Sequence, residues 1–250
     1  AVSLRRALPE DSRDLSALNP TAIKSESANA WPRMQNADEL HDALLVLGVL
    51  PESTALASAS DDGMGAIEQW FESLMIENRV YRMESDAVTY WVAAERLVLL
   101  NSVYPEAIFT PAPPAHLVEA PADQEENARE NNICWVMRGW VECSGPLTAT
   151  ELVRWLGIAR DDIVYALACL ENEGVALRGS FRTHVEEEEF CDRRILSRIH
   201  RSTIDTLRRE VEPVSSSAFM RFLLRWQHVD PTVRLRGEGG LLAAIEQLQG

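Results

Sequence analysis

The spacing of hydrophobic residues predicts a series of short elements in the first half of the chain. Apolar residues recur at helical intervals in two segments and alternate with polar residues in the next two, before helical spacing returns. In chain order, the predicted elements are a helix over 37–47 that begins at Asn36, a helix over 64–78, strands over 79–83 and 88–92, and a helix over 93–102. This order is typical of a winged-helix domain followed by one extra helix.

The same order of elements returns in the second half. In chain order, the predicted elements are a helix over 131–143, a short helix that Thr148 caps and Gly157 ends, a helix over 160–173, and strands over 174–181 and 188–191 that flank a wing at 182–187. We therefore predict a mostly α chain with small β-hairpins, built from tandem winged-helix domains followed by additional helices.

Changes in composition along the chain predict its domain boundaries. Prolines in the first 36 residues predict short helical turns at best, and TPAPPAHLVEAPAD has the proline content of a semi-rigid linker. The predicted division is a lead-in segment at 1–36, a first winged-helix domain at 37–109, a proline-rich linker at 110–127, a second winged-helix domain at 128–191 and, at 192–250, an arginine-striped helix with the start of a further helical module.

One predicted helix, over 192–211, has two opposite faces. Isoleucine and leucine side chains fall on one side of this helix, and arginines fall on the other side: Arg194, Arg198, Arg201, Arg208 and Arg209. An exposed row of guanidinium groups suits phosphates or carboxylates. The alternative is a solvated face that the acids of residues 186–189 neutralise.

The overall composition predicts a globular protein of the cytoplasm. Hydrophobic residues make up 46% of the 250 residues, which is enough for sizeable cores. No apolar run approaches the ~20 residues of a membrane span, so we predict no membrane partner. The cysteines lie inside predicted helices or strands, which is typical of reduced core thiols. Since no CxxC occurs, and Cys191 with His200 is too small a set of ligands, we predict no metal site.

The charge distribution limits where nucleic acid could bind. The net charge of −15 argues against a chain whose whole surface embraces nucleic acid. The third helix of a winged helix that reads DNA should be basic, because it enters the major groove. Here both third helices carry acids, namely Glu68, Glu72, Glu77, Asp161, Asp162, Glu171 and Glu173. We therefore predict scaffolding or protein-contact modules, with Arg178 and Arg182 of the wing and Arg194, Arg198, Arg201 and Arg208 as the candidates for nucleic-acid or partner binding.

Several strings resemble the Lhr (large helicase-related) family. FCDRRILSRIHRSTIDTLRREVEP, followed by FMRFLLRWQHV, is similar to the C-terminal half of these proteins, and AWPRMQNADELHDALLVLG, YWVAAERL and RLRGEGGLLAAIEQLQG extend the resemblance. It covers most of the chain from about Ala30 onwards. Lhr proteins are several times longer and carry RecA-like motor domains N-terminal to this region, so we expect the chain to be an excised piece.

The resemblance implies a non-motor C-terminal module of an ATP-dependent 3′–5′ DNA helicase involved in DNA repair. It implies DNA binding through the parent protein, contacts with other domains of the same chain and a homo-oligomer. ATP and Mg²⁺ would belong to the parent motor domains, and we expect no cofactor in this segment. One alternative is part of a uracil-DNA glycosylase domain of the AlkZ-like tandem winged-helix type. A stand-alone winged-helix regulator is the other alternative, which the acidic third helices disfavour.

No motif in this segment predicts catalysis. The sequence lacks GxxxxGK[ST], the loop that cradles nucleotide phosphates. The acids from Glu186 to Glu189 could supply a general acid or base, but four adjacent acids are usually a solvated wing. Gln247 and Gln249 are similar to the paired glutamines of AlkZ-type glycosylases, although polar residues commonly end helices. We therefore predict no catalytic residue here, and expect the segment to be inactive alone.

Overall fold

The computed structural model describes residues 18–58, 64–119, 127–210 and 214–248. These residues form mostly α-helix with short antiparallel strands, which confirms the predicted fold class. The chain divides into two compact units, Ala1–Ile204 and Asp205–Gly250. Both winged-helix units lie within the first of these.

The described chain begins with a helix, α1 (Pro20–Ala30). The sequence predicts short helical turns at best in this lead-in, and that prediction is wrong. Pro20 lies in the first helical turn, where proline is tolerated because its missing N–H would have no intrahelical partner. The side chain of Asn19 caps the helix by accepting hydrogen bonds from the backbone N–H groups of Thr21 and Ala22 at 2.8 and 3.3 Å.

The first winged-helix unit contains three helices and a three-stranded sheet. Its elements are α2 (Ala37–Leu47), β1 (Val49–Pro51), α3 (Glu52–Ser58), α4 (Met64–Ile76), β2 (Val80–Ser85) and β3 (Val88–Ala93). Strand β3 pairs antiparallel with both β1 and β2, so it is the central strand. The side chain of Asn36 caps α2 by accepting a hydrogen bond from the N–H of Glu39 at 2.9 Å. Gly48 ends α2 with a φ of 76°, as the sequence predicts.

An extra helix and strand extend this unit. Helix α5 (Leu97–Val103) follows a 3₁₀ turn, and strand β4 (Ile108–Thr110) pairs antiparallel with β2. The sheet order is therefore β1-β3-β2-β4. Thr110, the first residue of the predicted linker, is paired in this sheet with Arg82.

The second winged-helix unit repeats the architecture of the first. Its elements are α6 (Ala128–Cys143), β5 (Leu147–Thr148), α7 (Ala149–Leu156), α8 (Arg160–Asn172), β6 (Ala176–Gly179) and β7 (Glu189–Asp192). Strand β7 pairs antiparallel with both β5 and β6, so the order β5-β7-β6 matches β1-β3-β2. The hydroxyl of Thr148 accepts from the N–H of Glu151 at 3.1 Å, and the Glu151 carboxylate accepts from the N–H of Thr148 at 2.8 Å.

One hydrophobic core is shared by the two winged-helix units. It includes buried residues of α2, α4 and β3 from the first unit and of α6, α7 and α8 from the second. Helices α2 and α6 approach closely at Gly139, where a Cβ would collide with the carbonyl oxygen of Val46. The indole N–H of the buried Trp140 donates to the carbonyl oxygen of Val49 at 3.2 Å. The two units are therefore packed together rather than joined only by a linker.

The remaining helices are α9 (Arg193–Glu210), α10 (Ser216–Trp226) and α11 (Gly237–Leu248). Helix α1 packs against α9, since Ala22 and Ile23 form a small buried cluster with Ile195 and Ile199. The hydroxyl of Thr203 strengthens this contact by accepting a hydrogen bond from the N–H of Asn19 at 3.1 Å. The lead-in thus covers the apolar side of the arginine-striped helix.

Helices α10 and α11 belong to the second compact unit. Ser215 caps α10 by accepting a hydrogen bond from the N–H of Ala218 at 3.3 Å. The rings of Phe222 and Trp226 stack along α10 with their centroids 6.1 Å apart, and both side chains are exposed. This unit continues the chain with additional helices, as the sequence predicts.

Candidate functional site

Helix α9 begins directly after strand β7, and this junction fixes which residues face outward. Asp192 ends the strand, and its Oδ1 accepts from the backbone N–H groups of Arg194 and Ile195 at 2.7 and 3.0 Å. Ile195 and Ile199 are buried against α1. Because arginines occupy the opposite side of the helix, Arg194, Arg198 and Arg201 are exposed. We call these three residues the arginine row.

The members of the arginine row differ in their partners. The Nε of Arg198 lies 3.7 Å from Oε2 of Glu26 on α1, so its charge is partly balanced within the protein. No carboxylate of the described residues lies within ion-pair distance of Arg194 or Arg201. Two exposed guanidinium groups on one helix side are therefore available to an anionic partner.

The other two predicted members of the arginine stripe lie in the second compact unit. Arg208 is exposed, and its Nη1 lies 3.8 Å from Oδ1 of Asp205, three residues earlier on the same helix. Pairs of this kind on a solvated helix surface contribute little to stability. The side chain of Arg209 lies outside the described residues.

The wing between β6 and β7 is organised around a buried carboxylate, which corrects the prediction of a solvated acidic run. Glu189 has no exposed surface, and its Oε2 accepts from the backbone N–H groups of Phe181 and Arg182 at 2.6 and 2.7 Å. The Nε of Arg182 donates to Oε1 of the same carboxylate. The other acids differ, since Glu186 and Glu188 are exposed. Only part of the run is therefore solvated.

Arg182 joins this carboxylate to the start of helix α7. Its two terminal nitrogens donate to Oε1 and Oε2 of Glu151 at 3.0 and 2.8 Å, a bidentate arrangement. Burial acts to raise the pKa of Glu151, but hydrogen bonds from Arg182 and Thr148 outweigh it, so the pKa lies below its ordinary value. The hydrogen bond to Glu151 is the largest cause that raises the pKa of Arg182. A ligand for this guanidinium has to displace two carboxylates, so we interpret Arg182 as an internal clamp.

Arg178, the other predicted wing residue, also faces acids of its own chain. Its Nε lies 3.5 Å from Glu171, and its Nη1 lies 3.3 Å from Glu188. All three side chains are substantially exposed, so these pairs are weak. Arg178 is more accessible than Arg182, but it lies among carboxylates.

Both third helices, α4 and α8, present carboxylates to solvent. Glu68 and Glu72 of α4 are exposed, as is Asp161 of α8. Glu173, just after α8, forms an ion pair with Arg138 of α6. Such surfaces repel a phosphate backbone, because each carboxylate adds like charge at the contact.

Sequence reasoning missed two adjoining cavities beside helix α1. The first has a volume of about 380 Å³, and its walls include Trp31, Trp140 and Trp155. The second has a volume of about 370 Å³ and lies between α1 and the wing, next to Lys24 and His184. Tryptophan is frequent at binding sites, but its spacing here gave no signal because the three residues come from separate elements.

Groups for catalysis are sparse in the described part of the chain. No cluster of three His, Cys, Asp or Glu side chains that could hold a metal ion occurs among the described residues. Burial raises the pKa of the Cys143 thiol to about 11 and that of Cys191 to about 12, as expected for unreactive core thiols. The side chains of Gln247 and Gln249 lie outside the described residues. Among the described helices, none is long and apolar enough to cross a membrane.

Two comparisons with known proteins point to the same group. The family model for the winged-helix domain of the large helicase-related protein matches residues 214–250. A protein of Mycolicibacterium smegmatis (strain ATCC 700084 / mc(2)155), described as "Lhr helicase/ probable uracil glycosylase", is 30% identical over 238 residues. This alignment covers 93% of the present chain and 15% of the relative, so the chain spans a small part of the length of the protein it matches.

Proposed function

We propose that this chain, which belongs to the Lhr (large helicase-related) family as part of its C-terminal winged-helix region, serves the parent helicase as a binding and assembly module. The parent would be an ATP-dependent 3′–5′ DNA helicase that acts in DNA repair, with ATP and Mg²⁺ at its motor domains. The present segment would supply no motor chemistry. It would hold an acidic surface of a neighbouring module or of a second subunit.

The observation that carries this proposal is the pair of unpartnered arginines on α9. Arg194 and Arg201 are exposed, and no carboxylate of the described chain reaches them, although the chain as a whole carries a net charge of −15. The packing of Ile195 and Ile199 against α1 holds these arginines on a rigid support. A rigid pair of guanidinium groups favours bidentate contacts with carboxylates.

The number of free cations favours an acidic protein partner over DNA. Two phosphate contacts give a salt slope of only about 1.8 for duplex DNA, which corresponds to weak binding. The third helices present carboxylates, which repel a DNA backbone and can pair with arginines of another copy of the chain. Assembly through arginine–carboxylate contacts is therefore consistent with both surfaces.

The test is charge reversal of both residues, Arg194→Glu with Arg201→Glu. We expect the assembly to dissociate towards a smaller mass in light scattering, while DNA affinity at two salt concentrations stays the same. Folding should persist because the apolar side of α9 is unchanged. The matched control is Arg33→Glu, a charge reversal at an exposed arginine outside α9, which should leave the mass unchanged.

Two other outcomes would contradict this assignment. If DNA affinity falls and the salt slope decreases by about two while the mass is unchanged, the row binds the phosphate backbone. If neither quantity changes, the arginine row is a solvated helix face.

The second candidate function is part of a uracil-DNA glycosylase domain, which the description of the mycobacterial relative favours. This candidate predicts that the chain contributes fold rather than catalytic groups, since none of the described carboxylates lines the two cavities beside α1. We expect no abasic sites when the chain is incubated with uracil-containing single-stranded DNA. Abasic sites above the level of a buffer control would instead assign the catalytic activity to this segment.

A further inference from the structure

The first cavity beside α1 has a rigid aromatic wall. The ring of Trp140 is fully buried and lies 5.6 Å from the ring of Trp31 and 5.7 Å from the ring of Trp155, measured between centroids. Trp31 and Trp155 are only half-buried, so they present indole surface to the cavity. The indole N–H of Trp31 donates to the hydroxyl of Ser58 at 3.1 Å, which fixes its orientation. These rings form a preorganised surface for a flat ligand.

Hydroxyl groups add polar contacts to this aromatic cavity. The hydroxyl of Ser27 donates to the carbonyl oxygen of Ile23 at 2.7 Å, and that of Ser58 donates to the carbonyl oxygen of Thr54 at 2.7 Å. Both hydroxyl oxygens retain lone pairs that can accept hydrogen bonds. A cavity of about 380 Å³ with apolar walls and a few polar groups has the usual character of a small-molecule site.

The second cavity adjoins the first and supplies positive charge. Ile23 and Arg182 line both cavities, so the two form one groove along α1. Lys24 and His184 are exposed at the second cavity. Lys24 lies seven residues before Trp31, which is about 10 Å along a helix axis. The groove therefore has an aromatic end and a cationic end.

None of the carboxylates that the structure describes lines either cavity of the groove. Two acids of neighbouring elements have partners outside the groove or within its wall: Glu26, on the opposite side of α1 from Lys24, lies beside Arg198, and Glu151 binds Arg182. By contrast, a third cavity near the first hairpin is lined by Glu84, Asp86 and Glu106. In a chain of net charge −15, a groove whose described lining holds cations and no acid favours an anionic ligand.

We propose that this groove binds single-stranded nucleic acid, with one unstacked base against Trp31 and Trp155 and an adjacent phosphate beside Lys24 and His184. The groove combines the two features that sequence-independent single-strand binders use, namely an aromatic stacking surface and a cationic track for the backbone. The hydroxyls of Ser27 and Ser58 lie where they can accept from the base edge. This site is separate from the arginine row and does not depend on the assembly role proposed for it.

Two other ligand classes fit the groove less well. A quaternary ammonium ion is attracted by indole faces, but here it would lie near Arg182 and Lys24, and no carboxylate among the described residues lines the groove to balance it. Duplex DNA keeps its bases stacked inside the helix, so no base can enter the aromatic cavity without being unpaired. The bases of a single strand are free to stack on the indole rings, and its phosphates can pair with the ammonium group of Lys24.

The test measures binding of a fluorescein-labelled oligothymidylate to the 250-residue chain by anisotropy at two salt concentrations. Trp155→Ala should weaken binding about 5- to 150-fold, the range found for loss of one base–aromatic stack, and Trp155→Phe should recover most of it. Lys24→Glu should also weaken binding, and should lower the salt slope by about 0.7, the value for one single-strand phosphate contact. A duplex of the same length should compete poorly.

The control separates this site from the arginine row. Arg194→Glu with Arg201→Glu should leave oligothymidylate affinity unchanged, because these residues lie on α9. Lys24→Glu alters an exposed side chain, so it tests the groove even if Trp155→Ala fails to fold, which circular dichroism would reveal. Wild-type affinity in Lys24→Glu, absence of oligonucleotide binding by the unmodified chain, or loss of binding only in the α9 variant would overturn the proposal.

Discussion

The two winged-helix units share one topology but complete their hairpins in different ways. In the first unit, Asp86 and Ala87 connect β2 to β3 in a two-residue turn with φ angles of 46° and 63°. In the second unit, residues 180–188 connect β6 to β7, and the buried Glu189 with Arg182 holds this wing in place. The first connection is decided by local backbone conformation, whereas the second depends on Arg182, which also binds Glu151, 31 residues earlier in the chain.

This difference explains why the candidate sites lie at the second winged-helix unit. A two-residue turn ends a hairpin without adding surface, but a long wing reaches α1 and completes the groove beside Lys24. The wing leads through β7 directly into α9, where the arginine row begins. This wing requires the buried carboxylate of Glu189, and a buried carboxylate is costly to desolvate unless its hydrogen bonds are complete.

The largest effect should come from breaking the contact between Glu189 and Arg182 in the wing of the second winged-helix unit. Glu189→Gln retains the shape of the side chain but removes the charge that Arg182 and two backbone N–H groups require. We expect the free energy of unfolding in urea to fall by about 3 kcal/mol, at the lower end for broken buried pairs because Arg182 is partly exposed. The matched control, Glu188→Gln, removes an exposed acid and should cost less than about 1 kcal/mol. Equal losses for the two variants would show that burial of Glu189 does not matter.

A smaller effect of opposite sign should come from the first hairpin. Ala87 has a left-handed φ of 63°, which costs an L-residue about 1 kcal/mol and which glycine adopts freely. Ala87→Gly should therefore raise the free energy of unfolding by about 0.5–1 kcal/mol, measured in the same urea titration. Ala57→Gly serves as the comparison, because Ala57 is exposed in helix α3 and its replacement should lower stability by a similar amount. A loss of stability in Ala87→Gly would mean that the turn is held by contacts of the alanine methyl group.

The elements that local chemistry determines could be predicted from the sequence. Asn36 with Gly48 defines the two ends of α2, and Thr148 with Glu151 forms the capping box of α7. Apolar spacing gave the remaining helices of both winged-helix units to within a few residues, except α3, where the sequence predicts a loop or a short, poorly specified helix over residues 51–63. The tandem order of elements follows from these signals, because each of them acts within one or two turns of helix.

The features that long-range contacts determine could not be predicted. Helix α1 is mostly polar, and its burial of Ala22 and Ile23 depends on α9, far along the chain. In a run of four acids, the sequence does not distinguish the exposed Glu188 from the buried Glu189. The distinction arises from Arg182, which binds Glu189 and is itself held by Glu151, 31 residues away. The aromatic cavity is formed by residues of three separate elements, so the spacing of tryptophans along the sequence does not predict it.

Lys24, described above as the cationic end of the groove, is also the only lysine in the chain. Side-chain chemistry directed at ε-amines therefore acts at one place, on an exposed residue at the edge of the groove. Acetylation there would remove the positive charge without altering any buried contact, because the side chain points to solvent. An environment-sensitive dye coupled to the same amine would report directly on occupancy of the groove, with no second lysine to contribute background.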